Sequence, residues 1–310
     1  MNMIEPSNQT RLFGLNKIMT KLVYLENKNN LPNNILLSGQ KGLGKSTLAY
    51  HFINYTLSKD EEYKYDLSNF VINAENRSFK TVLNNSNPNF KLINNNFDKK
   101  NIDINQIREL IRSLNKSTFN EKPRFILIDN IELLNLSSIN ALLKTLEEPS
   151  HNIYFILINN NKKVLSTLLS RCINFKISLS NDEIPQITNK IIDDDLYNLV
   201  NKDLLNYYST PGSIYNLIKF GETNQYDLVN LNLNELLKKL IKSNNHKKDS
   251  TTKYLIFDFI ELYLRKINTS ISTDIYDKYS YFLNKISDIK KFNLDEEALF
   301  IEFEQKILNE

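Results

Sequence analysis

The sequence predicts an α/β domain built on a parallel sheet up to about residue 180, followed by helical segments alone. Three observations predict it. Short apolar runs alternate with helix-like periodicities through that region. A glycine-rich loop, Gly39-Gln40-Lys41-Gly42-Leu43-Gly44-Lys45-Ser46-Thr47, lies between one such run and a helical pattern. Beyond residue 180 the strand signals stop.

Ile35-Leu36-Leu37 is a buried-strand candidate, and Lys45 to Leu57 is the helix after the loop. Phe90 to Ile93, just after Pro88, is a second short strand. Ile104 to Leu114 has apolar residues at 104, 107, 110, 111 and 114, a helical spacing. Phe125 to Ile128 is a third strand ending at Asp129. Asn135 or Ser137 can cap the next helix, which runs to Glu148 and stops at Pro149. Tyr154 to Ile158 and Ile173 to Ile177 are the fourth and fifth strands. Asp182 to Phe220 reads as two or three short helices with a break at Pro211-Gly212. Lys242 to Asp249 is a polar connection, and Thr252 to Ile267 and Ile275 to Ile289 are amphipathic. Asn293 is the expected N-cap of a last helix through Leu308. The expected division is an α/β domain at 1–179, a small helical domain at 180–222 and an all-α domain at 223–310.

Composition bounds the function. The chain has 310 residues, 41% of them hydrophobic, enough for a sizeable core and against disorder over most of its length. Its 39 basic and 36 acidic residues give a formal net charge of +3, so no strong general affinity for nucleic acid follows. Cys172 is the single cysteine, which excludes a disulfide framework or multi-cysteine zinc site within the chain and fits a reducing compartment. His51, His151 and His246 lack ligand-like spacing and read as packing or surface residues. Asn runs at 94–96 and 159–161 mark loops or loop edges. Met1 to Arg11 lacks the apolar stretch of a signal peptide, and no apolar run approaches the ~20 residues that span a bilayer. A cytoplasmic protein without a membrane partner is expected.

The loop fits the pattern G-x-x-x-x-G-K-[ST] in the context it requires, a strand before and a helix after. Glycines let consecutive backbone N–H groups turn inward onto phosphate oxygens, and the following helix adds its positive end. Lys45 brings a point charge to the β- and γ-phosphates, and the Ser46 hydroxyl can ligate Mg²⁺. The nine residues from Gly39 to Thr47 are therefore the expected nucleotide-binding set, with ATP as ligand. Asp129, at a strand's C-terminal end, is the expected second Mg²⁺ ligand. The residue after it is Asn130, whose amide cannot act as a general base. Glu132 lies two positions further, where continued strand geometry would aim it elsewhere. Such a site is expected to bind ATP better than it hydrolyses it.

Three segments carry a family resemblance: Asn140-Ala141-Leu142-Leu143-Lys144-Thr145-Leu146-Glu147-Glu148-Pro149, the strand Tyr154 to Asn159, and Leu168-Leu169-Ser170-Arg171-Cys172. Their order resembles subunits of the bacterial DNA polymerase III clamp loader, an AAA+ assembly. Ser86-Asn87-Pro88-Asn89-Phe90, Ile104-Asn105-Gln106-Ile107-Arg108-Glu109-Leu110, Leu48-Ala49-Tyr50 and Asn293-Leu294-Asp295 resemble the delta-prime type, in an alphaproteobacterial-like form without the four-cysteine zinc module. The resemblance implies that the three domains are an AAA+ domain, a lid and a collar. It implies that Arg171 acts as an arginine finger on ATP held by a neighbouring subunit, and that Asn159 is a sensor of the γ-phosphate. The implied partners are gamma/tau- and delta-type subunits in a hetero-oligomeric ring, with the sliding clamp and primed DNA reached through the assembly. Ile214 follows Pro211-Gly212-Ser213 where active motor subunits carry an arginine. Together with Asn130, this favours the non-motor subunit; a catalytically active gamma/tau-type ATPase is the alternative.

Overall fold

In a computed structural model the described residues are 5–94, 101–114, 120–206, 208–247, 249–267, 273–292 and 294–308. The elements run in the order α1 (Asn16–Asn27), β1 (Asn34–Ser38), α2 (Lys45–Leu57), α3 (Arg77–Leu83), β2 (Phe90–Ile93), α4 (Ile104–Leu114), β3 (Arg124–Ile128), α5 (Leu136–Glu147), β4 (Ile153–Asn159), α6 (Ser166–Leu169), β5 (Ile173–Lys176) and α7 (Glu183–Ile192). After α7 come α8 (Pro211–Asn224), α9 (Leu233–Lys242), α10 (Ser250–Ile267), α11 (Thr273–Phe292) and α12 (Glu297–Phe303). All pairings in the sheet are parallel, in the order β2-β3-β4-β1-β5.

The apolar strands of the sequence are continuous because both faces of the sheet are covered. Side chains alternate across it. Ile35 and Leu37, Phe125 and Leu127, Ile156 and Ile158 enter one core with α1 and α2. Leu36, Ile126 and Ile128, Phe155 and Leu157 enter the other with α4 and α5. Ile107, Leu110 and Leu114 bury the inner stripe of α4, at the spacing read from the sequence. Of the two cap candidates for α5 it is Asn135 that acts, accepting from the Ser138 N–H at 2.8 Å.

The chain separates into two compact units, one of Met1–Asp193 with Thr210–Asn216, the other of Asp194–Ser209 with Leu217–Glu310. The second is helical. Leu236, Leu237 and Leu240 of α9, Ile256, Phe257 and Ile260 of α10, and Phe282 of α11 are buried there. Phe300 and Phe303 of α12 pack edge-on against Phe257 and Phe282, at ring separations of 5.1 and 5.2 Å. A capping box of Asn232 and Glu235 starts α9.

The helices α1 and α3 were not among the elements predicted above. The break at Pro211-Gly212 is a helix start, with Pro211 in the first turn, where its missing N–H costs nothing. Asn293 lies outside the described residues, and Glu296 occupies the N-cap of α12. Among the described residues no helix is long and apolar enough to cross a membrane.

Candidate functional site

The glycine loop leaves β1 at Ser38 and ends where α2 begins at Lys45. Gly42 and Gly44 take φ of 86° and 80°, the left-handed region that a side chain resists. A Cβ on Gly42 would lie 2.3 Å from the Thr210 hydroxyl oxygen. That crowding comes from the segment before α8. The Thr210 hydroxyl donates to the Lys41 carbonyl at 2.9 Å, and the Gly212 N–H donates to the Gly42 carbonyl at 3.0 Å. The crown of the loop is thus held from outside. Gly39, Leu43 and Lys45 are buried, Gln40, Ser46 and Thr47 half-buried, and Lys41 exposed.

Lys45 donates to the carbonyls of Gly39 at 2.8 Å and Gln40 at 2.5 Å. Burial lowers its pKa from the usual 10.5 to about 8, against the raising influence of Asp129 and Glu132. The Ser46 hydroxyl donates to Asp129 Oδ2 at 3.0 Å, bringing together two residues 83 positions apart. Desolvation raises the Asp129 pKa, while the Ser46 bond, the Asn130 N–H and Lys45 work the other way. A hydroxyl and a poorly solvated carboxylate in contact are the hard oxygen donors Mg²⁺ takes when phosphates supply further ligands. Among the described residues no group of three or more His, Cys, Asp and Glu could hold a metal by itself.

Glu132 departs from the expectation that it points elsewhere. The strand ends at Ile128, Asn130 adopts a left-handed φ of 59°, and Ile131–Leu133 form a 3-10 turn. That reversal returns Glu132 to the site. Its Oε1 accepts from the Asn160 side-chain amide at 3.0 Å, and its charge is felt by both Lys45 and Asp129. The same amide donates to Asn130 Oδ1 at 2.7 Å. Asn160 is therefore the polar residue after β4 that joins this cluster, and nothing in three consecutive asparagines distinguishes it in the sequence. Asn159, buried, closes a turn instead: its side chain exchanges two 3.0 Å bonds with the Lys162 backbone. Ile214, in α8, is buried at 3% exposure, and its aliphatic side chain brings no cation.

Arg171 lies elsewhere. It precedes β5, whose first residue Ile173 pairs with Ile35 near the start of β1. The glycine loop follows the other end of β1, roughly 13 Å along the strand at four residues' rise. Arg171 donates from Nε to Glu147 Oε1 at 2.8 Å, from Nη2 to the same oxygen, and from Nη1 to the Thr167 carbonyl at 2.5 Å. Neighbouring Cys172 is half-buried, and burial pushes its thiol up to about 11, so it is not a ready nucleophile. His51 is fully buried, with Nε2 against the Gln9 carbonyl and Nδ1 against the Tyr65 hydroxyl. Of the two readings open for it, surface or packing, it takes packing.

The family model described as "DNA polymerase III, delta subunit" matches residues 14–181, more than half of the chain. A relative named DNA polymerase III subunit delta', from Buchnera aphidicola subsp. Schizaphis graminum, is 26% identical over 286 residues, 87% of this chain and 83% of the relative. The subunit delta' of Haemophilus influenzae is 34% identical over 86 residues, 27% of this chain and 26% of the relative. A gamma/tau subunit from Mycoplasma genitalium is 29% identical over 171 residues. That match covers 55% of this chain but 27% of the relative, so the chain spans about a quarter of that protein's length. The glycine loop, the carboxylate facing it and the Arg171 segment all lie inside the matched region, and the chain belongs to the DNA polymerase III delta-subunit family as a delta-prime-like clamp-loader protein.

Proposed function

We propose that this chain is a delta-prime-like subunit that holds ATP with Mg²⁺ at Gly39–Thr47 without efficient turnover and lends Arg171 to a neighbouring motor subunit. The observation that carries this reading is the placement of Arg171 before β5, at the opposite end of the strands from the glycine loop. A guanidinium there is out of reach of the chain's own phosphates, and at 28% side-chain exposure it is partly accessible to another molecule's. Its charge is permanent and its planar fork matches phosphate oxygens, which suits it to stabilise the charge that develops in phosphoryl transfer. Ser46 and Asp129 would hold Mg²⁺, which neutralises phosphate charge when bound.

On this reading Asn159 remains the γ-phosphate sensor the resemblance implies, and 1–179, 180–222 and 223–310 are the AAA+, lid and collar domains. The collar joins gamma/tau- and delta-type subunits in a cytoplasmic ring, and the assembly, rather than this chain, meets the sliding clamp and primed DNA during replication. The isolated chain is then expected to show little ATPase activity, and Arg171→Ala to lower turnover by the reassembled complex without preventing assembly. Robust turnover by the chain alone, abolished by Lys45→Ala, overturns the reading.

One observation favours the gamma/tau-type alternative: the return of Glu132 to the cluster around Lys45 and Asp129. If the chain does turn over ATP by itself and Glu132→Gln removes that activity, Glu132 has taken the general-base role that Asn130 cannot fill.

A further inference from the structure

Arg171 lines a groove of about 580 Å³, together with Pro32, Asn34, Leu146, Glu147 and Pro149. Two different groups hold it, one by the backbone and one by the guanidinium. The backbone is fixed by Asn34, a residue 8% exposed at the start of β1. Its side-chain amide donates to the Arg171 carbonyl at 3.0 Å and to the Leu146 carbonyl at 2.7 Å. One carboxamide thus ties the Arg171 segment to the last turn of α5. The Arg171 N–H also closes onto the Leu168 carbonyl at 3.2 Å.

The guanidinium is held by Glu147, the final residue of α5. The C-terminal end of a helix is where negative charge is disfavoured, so the Glu147 carboxylate does nothing for α5 itself. What it does is occupy two of the three nitrogens of Arg171, while Thr167 takes the third. The pair is partly open: side-chain exposure is 28% for Arg171 and 48% for Glu147. Exposed ion pairs are weak because water screens them. A phosphate offers more negative charge and more acceptor oxygens than one carboxylate, so it competes well for the same fork.

We propose that Glu147 is the positioning residue of Arg171, parking the guanidinium in the groove until a phosphate presented by a neighbouring subunit displaces the carboxylate. The backbone stays fixed by Asn34, so the exchange is a side-chain movement. This rests on the reading of Arg171 as a finger acting in trans. The displacement is completed only as charge develops on the transferring phosphoryl group, so parking lowers kcat of the complex and leaves KM unchanged.

The test is ATP turnover by the complex reassembled from this chain and its gamma/tau-type neighbours, with four forms of the chain: unsubstituted, Glu147→Gln, Arg171→Ala and both together. Glu147→Gln is expected to raise kcat roughly two- to five-fold at unchanged KM, the range an exposed ion pair supports. The double variant is expected to match Arg171→Ala alone, because parking has no meaning without the finger. Glu147→Asp, which keeps the charge but shortens the reach, is expected to raise kcat as well and serves if Glu147→Gln folds poorly. A fall or no change in kcat for Glu147→Gln while Arg171→Ala is defective overturns parking and leaves the finger standing. An equal effect of Glu147→Gln with and without Arg171 also overturns it. A fully active Arg171→Ala complex removes the finger reading, and parking with it.

Discussion

Lys45 shows how one residue serves a site and is strained by it. Folding around the glycine loop removes its ammonium from water, and the loop's own carbonyls at Gly39 and Gln40 replace only part of that solvation. The pKa near 8 is the result. The sign follows: below pH 8 Lys45 is charged in the folded chain and can meet the phosphate of the proposed ligand, and above it the charge is lost. Affinity for ATP is therefore expected to fall about ten-fold between pH 7 and pH 9, as the charged fraction drops. Lys45→Arg stays charged throughout. Fluorescence anisotropy with a labelled nucleotide at the two pH values checks this; the same slope in Lys45→Arg would place its cause in another group. Ser46 and Asp129 are simpler, since each was identifiable by its own position in the sequence and the sheet merely closes the distance between them.

At the scale of elements, β1 connects the two chemical ends of the domain: Asn34 at its start holds the Arg171 segment, and the glycine loop leaves its end. The start of α8 braces that loop. Gly212 lies so close to Gly42 that a Cβ on it would approach the Gly42 backbone to 2.8 Å. Two effects oppose each other in Gly212→Ala. Alanine improves the helix by at most about 1 kcal/mol, the value for a helix interior, and by less here because Gly212 lies in the first turn of α8. Backbone cannot give way as a flexible side chain can, so the brace must separate, and the Gly212–Gly42 and Thr210–Lys41 bonds are lost with it. Two bonds at roughly 1 kcal/mol each exceed the helical gain. Gly212→Ala is expected to weaken nucleotide binding by several-fold, read by calorimetric titration. Unchanged affinity would show that the loop keeps its shape without α8.

For the whole molecule, the ligand should act as a stabiliser of the unit that contains the loop. If the loop holds Mg²⁺ and ATP as proposed, that unit is expected to gain about 2.7 kcal/mol at 100 times the dissociation constant. A chain of two units need not unfold in one step, so differential scanning calorimetry is the suitable measurement. Only the transition of the first unit is expected to move, and Lys45→Met is expected to abolish the shift. A ligand-induced shift that survives Lys45→Met would mean that nucleotide binds elsewhere.

Much of this protein was determined by local sequence. The parallel strands, α2, α4 and α5 follow from apolar runs, a 3.6-residue period and cap residues, all of which act over a few neighbours. The glycine loop was legible for the same reason, since its chemistry is contained in nine consecutive residues. Tertiary structure alone decided the rest. Glu132 could be placed only once Asn130 had turned left-handed, a conformation the amide residue tolerates but does not announce. Asn160 was indistinguishable from its two neighbours until β4 ended and the turn with Lys162 claimed Asn159. Glu147 and Arg171 are 24 positions apart, and nothing in either segment states that a carboxamide at Asn34 will tie the Arg171 carbonyl to that of Leu146, the neighbour of Glu147. A motif is written in the order of the chain, whereas charge acts through space, so the partners of each charged group had to wait for the fold.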